Sequence, residues 1–244
     1  MKILGIESAS TTASAALIED GVLLSECTSN YKKTHSETLL PMISEVLSMT
    51  ETEPKDLDAI AVSAGPGSFT GLRIGAATAK GLAFSLNIPV IPVPTPDAMA
   101  YGNFGSAFIL CPVMDARRDQ IYTGLYEFDH EQFIVRQEAS ALSYEEQVRN
   151  AEAAARETGK RILYLGDGLM VYEAKIREVS SLEPCFAPAN VRFQRAASVA
   201  ALGLKRFQEG VRESAESFLP VYLRKSQAER EREAMGLPLG ETTI

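Results

Sequence analysis

The chain has 244 residues, 45% of them hydrophobic and 23% charged, which excludes wholesale disorder and suits one large or two small domains. A formal net charge of −8 excludes a strong solo binder of nucleic acid, because the chain lacks the surplus Lys and Arg that neutralise phosphates. Cys27, Cys111 and Cys185 are widely spaced and form no C-x-x-C pair, so a cytoplasmic protein with reduced, mostly buried thiols is expected.

In chain order, residues 2–7 (KILGIE) read as a buried strand. The acid Glu7 comes too early for the apolar core of a signal peptide, and no later run reaches membrane-spanning length. Residues 12–19 read as a second strand and 22–28 as a third, joined by the hairpin signal Asp20-Gly21. A helix is expected within 34–49, where Leu39, Ile43, Val46 and Leu47 draw one apolar stripe that Leu40 and Met42 widen. Thr34 and Glu37 match a capping box, whereas Pro41 argues for a kink or a start near Thr38. Residues 59–64 read as a strand, about 71–86 as a helix, 88–93 as extended and 96–102 as a short helix.

The second half repeats the plan. Residues 108–114, 120–128 and 132–138 read as strands, 144–157 as a helix and 161–166 as a strand, followed by Asp167-Gly168 and another helix. "ILYLGDG" stands where "IAVSAGPG" stood in the first half. Three strands, a helix, a strand and a helix in each half resemble the ribonuclease-H-like unit. The expected fold class is therefore α/β: two tandem ribonuclease-H-like lobes in the architecture of actin, sugar kinases and heat-shock chaperone ATPases, with mixed central sheets flanked by helices. The first lobe is expected over 1–105 and the second over 106–224. Residues 194–208 read as a last amphipathic helix and 225–244 as a charged, mobile tail.

The stretch "SAGPGSFTGLRIG" (63–75) raises the question of phosphate binding. Gly67 and Gly71 are one residue too close for a P-loop and no Lys follows; Thr70 stands where a dinucleotide fingerprint needs its third glycine after Gly65 and Gly67. What remains is a strand-to-helix junction with Ser68 or Thr70 as the cap. Arg73 in the first turn opposes the helix dipole, so a carboxylate partner is expected for it. Beyond the loop, Gly71, Gly75, Ala79 and Ala83 recur every four residues and draw a stripe without bulk, which Ala76, Ala77 and Gly81 widen. That stripe suits close packing, against the chain's own sheet or a partner helix.

Catalytic signatures are sparse. Of the two histidines, His35 has Leu39 rather than a second ligand one turn on, so a solvent-facing or capping role is expected and no metal site. In the actin-like superfamily, phosphate sits at a hairpin after an acid that ends the first strand. Here Glu7 and Ser8 open that hairpin and Asp115 opens its second-half counterpart, both without glycine; Gly166 and Gly168 stand where an adenosine would be bordered. These five read as vestigial nucleotide-site positions.

Taken together, "ILGIESASTTASAAL", "HSETLLPMI", "GPGSFTGLRIG", "DARRDQIY", "GDG" and "PVYLR" resemble, in that order, the TsaB (YeaZ-type) family over about residues 2–224. The family comprises bacterial subunits of the machinery that makes threonylcarbamoyladenosine at position 37 of certain tRNAs. The resemblance implies a non-catalytic scaffold of actin-like fold that pairs with the catalytic subunit TsaD and recruits the ATPase TsaE. It implies no catalytic residue, metal or cofactor in this subunit; ATP or ADP in the complex stays open, and tRNA is met only indirectly. Carried over by position, the partner-binding residues are Leu39, Leu40, Ile43, Val46, Leu47, Gly71, Ile74, Gly75, Thr78, Ala79, Leu82 and Ala83, and the isolated chain can self-associate through the same patch. Glu7 departs from the Asp of many relatives. An ATP-dependent phosphotransferase and a metallopeptidase-like protein stand as alternatives.

Overall fold

The structure, a computed structural model, describes residues 1–31 and 33–224. The tail expected over 225–244 lies outside the described residues. Strands β1 (Lys2–Glu7), β2 (Ala13–Glu19) and β3 (Val22–Ser29) form an antiparallel meander. Its Asp20-Gly21 turn takes positive φ at both positions, as the dipeptide requires. Helix α1 (His35–Met49) leads to β4 (Ala59–Gly65), α2 (Phe69–Leu86), β5 (Val90–Pro94) and α3 (Thr95–Tyr101). The strands β4 and β5 extend the sheet in parallel, giving the order β3-β2-β1-β4-β5.

The second half runs β6 (Phe108–Asp115), β7 (Gln120–Asp129), β8 (Gln132–Ser143), α4 (Tyr144–Thr158), β9 (Arg161–Leu165), α5 (Leu169–Val179) and the two-residue β10 (Cys185–Phe186), then α6 (Ala189–Arg192) and α7 (Ala196–Gln208). Its sheet order, β10-β9-β6-β7-β8, is the first sheet's order element for element. The repeat expected from the sequence is thus a repeat of topology: two mixed five-stranded sheets in the two-lobed actin-like architecture. Among the described residues no helix is long and apolar enough to cross a membrane.

Three expectations need correction. The delayed start near Thr38 is not adopted: α1 begins at His35 and carries Pro41 inside it, with the proline turned to solvent. The Thr34 hydroxyl donates to the Glu37 carboxylate at 2.7 Å instead of accepting from a backbone amide, since an ionised acceptor is the stronger partner. The 106–224 unit is not all second lobe. Val199, Ala200 and Leu202 of α7 pack with Ile3, Ile18, Ala61 and Ile91 on the open face of the first sheet, and Phe218 enters the core on its other face. An exposed sheet face needs cover, and the chain returns to supply it.

Candidate functional site

The glycine stretch builds the junction between β4 and α2 and clamps it to the β1–β2 hairpin. Gly65 takes φ +107°, which side-chain-bearing residues rarely adopt, and the Val221 carbonyl fills the space a Cβ would need. Ser68 caps α2 by accepting from the Gly71 amide at 3.3 Å, while its own amide donates to the Ala9 carbonyl at 2.7 Å. Ser68→Ala is expected to cost about 1 kcal/mol, lowering Tm by roughly 2–4 °C in a chain of this size, read from a thermal melt. Arg73 is the exception to expectation: among the described residues it pairs with no carboxylate, and its guanidinium lies 4.2 Å from the Phe69 ring centroid. The ring supplies the negative face that a carboxylate was expected to supply.

Behind this junction the β1–β2 hairpin is closed. Glu7 is 1% exposed. Its carboxylate turns inward, accepting from the Ala9 amide at 2.6 Å and from the Ser63 hydroxyl, and burial pushes its pKa up to about 7. Ser8 is buried and donates to the Gly71 carbonyl at 2.9 Å. His35 is half-buried, neither capping nor solvent-facing: its Nε2 lies 2.8 Å from the Ser10 carbonyl, because α1 starts against the hairpin. Among the described residues no group of three or more His, Cys, Asp or Glu side chains is placed to hold a metal ion.

Across from the hairpin, Asp115 is exposed and accepts from the Arg117 amide at 2.7 Å. Gly166 and Gly168 are buried, donating to the carbonyls of Arg192 at 2.7 Å and Val113 at 3.0 Å. Between them Asp167 accepts from Gln194 Nε2 at 2.8 Å, and burial raises its pKa to about 6. The lobes enclose a cleft of about 540 Å3, lined by Ser10, Thr11, Thr70, Asp115, Asp167 and Arg224 among others. Of the five vestigial positions only Asp115 lines this cleft, and the residues present do not fit a nucleotide-phosphate cradle. The acid faces away from the cleft, Ala9 turns its carbonyl to Ser68, and Ser8 is spent on α2.

The expected partner-binding residues divide into two sets. Leu39, Ile43, Val46 and Leu47 are buried in the first core, and so are Ala79 and Ala83. Gly71 and Gly75 lie against Ser8, with no room for a Cβ at either. The Gly71/Gly75/Ala79/Ala83 stripe is thus the inner face of α2, free of bulk because the helix rides on the hairpin and β4. These residues, together with the α1 stripe, are corrected from an open surface to core. Leu40 is 56% exposed, and Ile74, Thr78 and Leu82 remain partly accessible. Ala77 and Gly81, one turn apart, are exposed on the solvent side of α2; a Cβ on Gly81 would meet nothing within 4 Å. Of the residues expected to widen the inner stripe, Ala76 is buried with it while Ala77 and Gly81 turn outward, because spacing alone does not say which smooth side of a helix faces the core.

Comparison with known proteins matches this architecture across nearly its whole length. The family model for TsaD, tRNA N6-adenosine threonylcarbamoyltransferase, matches residues 22–232. The tRNA threonylcarbamoyladenosine biosynthesis protein TsaB of Bacillus subtilis (strain 168) is 31% identical over 94% of this chain and 96% of its own length. Its counterpart in Escherichia coli (strain K12) is 30% identical over 93% and 96%. A solved structure described as YeaZ from Pseudomonas aeruginosa superposes with a TM-score of 0.77 at 27% identity, covering 91% of this chain and 99% of that one. By these whole-length matches the chain belongs to the TsaB family, within the wider family that the TsaD model describes.

Proposed function

We propose that this chain is a non-catalytic subunit in tRNA threonylcarbamoyladenosine biosynthesis, a cytoplasmic scaffold that pairs with the catalytic subunit TsaD and recruits the ATPase TsaE. The observation that carries the reading is the closed hairpin, where an actin-like enzyme would hold phosphate. Glu7 is turned inward onto Ser63 and Ala9, and the hairpin backbone is bonded to the start of α2. Kinship over the full length supports the pathway, and the closed hairpin supports a role without chemistry of its own. The pairing surface is the outer face of α1 and α2: Leu40, Ile74, Ala77, Thr78, Gly81 and Leu82. Low relief lets a second pair of helices approach closely, and an interface of standard size buries about 1,600 Å2 in total. The same face gives the isolated chain a route to self-association.

Reconstitution tests the reading. The chain is mixed with TsaD, TsaE, a threonylcarbamoyl-adenylate synthase and tRNA, and modified adenosine is assayed with each protein omitted in turn. Omitting this chain is expected to abolish product, while the chain alone turns over no ATP in the presence of magnesium. Product formed without it, or ATP turnover by the lone chain, overturns the proposal; the latter favours a phosphotransferase.

A further inference from the structure

The segment after α7, residues 211–224, carries the "PVYLR" motif across the mouth of the cleft, and its two ends are held unequally. On the first lobe it is anchored repeatedly. Glu213 and Val90 exchange backbone hydrogen bonds, both 2.9 Å. Phe218 is fully buried in the first core. Lys80 Nζ donates to the Glu216 and Phe218 carbonyls at 3.3 and 3.0 Å, and the Val221 amide donates to Ala64 at 2.7 Å. The Tyr222 ring packs tilted against Phe69, with the centroids 4.7 Å apart.

On the second lobe, among the described residues, the segment is hydrogen-bonded through one side chain. An Arg224 guanidinium nitrogen donates to the carbonyls of Ala116 at 2.5 Å and Arg117 at 3.2 Å. Those carbonyls belong to the β6–β7 turn, in which Arg117, Arg118 and Asp119 hold φ of 62°, 56° and 55°. Three consecutive left-handed residues with side chains are an unfavourable backbone that needs outside support. At the back of the molecule the lobes meet through α3, where the Tyr126 hydroxyl donates to Asp97 at 2.8 Å in a buried contact.

Among the described residues, a joint built from α3 and the apolar cluster that packs Ala9 and Leu72 with Met114 and Leu165, together with one hydrogen-bonded side chain at the end of the strap, describes a clasp. We infer that Arg224 is a latch fixing the opening of the interlobe cleft, with α3 as its hinge and the segment 211–221 as the strap that carries it. Breaking two hydrogen bonds frees the hook while the strap stays rooted in the first core. Relative motion of lobes about such a joint is an ordinary repertoire of two-lobed folds once the front contact is lost.

The latch is tested on the isolated full-length chain, so the outcome does not depend on pairing with any partner. Nitroxide labels are attached to encoded non-cysteine residues at Ser36 and Glu146, both exposed. Ser36 follows His35, which touches Ser10 on one rim. Glu146 lies in the first turn of α4 near Tyr144, whose ring is 5.5 Å from Tyr172, a donor to Asp115 on the other rim. With the labelled chain diluted in excess unlabelled chain, so that self-association adds no distance between copies, dipolar electron resonance is expected to give one narrow distance in the parent chain. Arg224→Ala is expected to shift it longer and roughly double its width, as release of a two-lobed hinge would. Arg224→Lys, which can still reach a carbonyl, is expected to restore most of the narrow population. An unchanged distribution in Arg224→Ala overturns the latch. So does loss of folding in both variants, shown by their melts, because it makes Arg224 a structural residue and not a releasable one.

Discussion

Gly81→Arg is expected to weaken binding to TsaD by about 100-fold or more while leaving the chain folded and slightly more stable. The position is exposed, and a Cβ there meets nothing within 4 Å, so the substitution disturbs no internal contact. Removing a mid-helix glycine adds roughly 0.5–1 kcal/mol of helix stability. In a close helix-to-helix contact, however, the same side chain must be buried unpaired or hold the surfaces apart. A penalty of about 2.7 kcal/mol already equals a 100-fold loss of affinity, and an uncompensated buried charge costs more than that. Ala77→Arg should behave likewise. Gly75→Leu is the contrasting case: its side chain would overlap Ser8, so the expected result is an unfolded first lobe, seen as a lost thermal transition. Titration calorimetry with purified TsaD, read beside a thermal melt, separates the two. Parent-like binding by Gly81→Arg would remove the outer face of α2 from the interface.

The contrast between Gly75 and Gly81 also marks where sequence reading reaches its limit. Period and turn chemistry suffice for most strands and helices of both lobes, and the duplicated order predicts two related sheets, but the two-residue β10 and the four-residue α6 are too short to show a period. Each of those signals is local. Which smooth stripe of α2 faces inward depends on Ser8, sixty-odd residues upstream, and on how closely the helix rides over the hairpin. The inward turn of Glu7 depends on Ser63 in a neighbouring strand. The missing carboxylate of Arg73 depends on Phe69 and on the strap whose Tyr222 packs against that ring. The return of α7 and Phe218 to the first lobe follows from an uncovered sheet face, which an amphipathic pattern signals without naming the surface it will cover. "PVYLR" is visible as a motif, but its work of joining two lobes exists only in three dimensions.

Replacing Glu7 with Gln is expected to stabilise the chain above pH 7 and to have little effect below pH 4.5. Burial holds the folded-state pKa at about 7, against the ordinary glutamate value of 4.5 in the unfolded chain. A folded state with the higher pKa binds the extra proton, so Glu7 favours folding fully below pH 4.5. That contribution is lost as pH rises, and the loss is complete once pH passes 7. A difference of two to three pKa units corresponds to about 3 kcal/mol by linkage. Gln reproduces the protonated acid: its oxygen accepts from the Ala9 amide and its amide group donates to Ser63 Oγ, with no charge to bury. The stability gap between variant and parent, from urea unfolding at several pH values, should therefore open between pH 4.5 and 7 and then level off. Asp97 and Asp167, also raised by burial to about 6, tilt both curves the same way and largely cancel in the difference. Asp167 repels the Glu7 charge, so Asp167→Asn should narrow the gap. A gap that is flat with pH, or that opens toward acid, would mean that Glu7 is ionised in the fold and solvated from the cleft. That is the arrangement a phosphate-handling enzyme would need, and the scaffold reading would lose its main support.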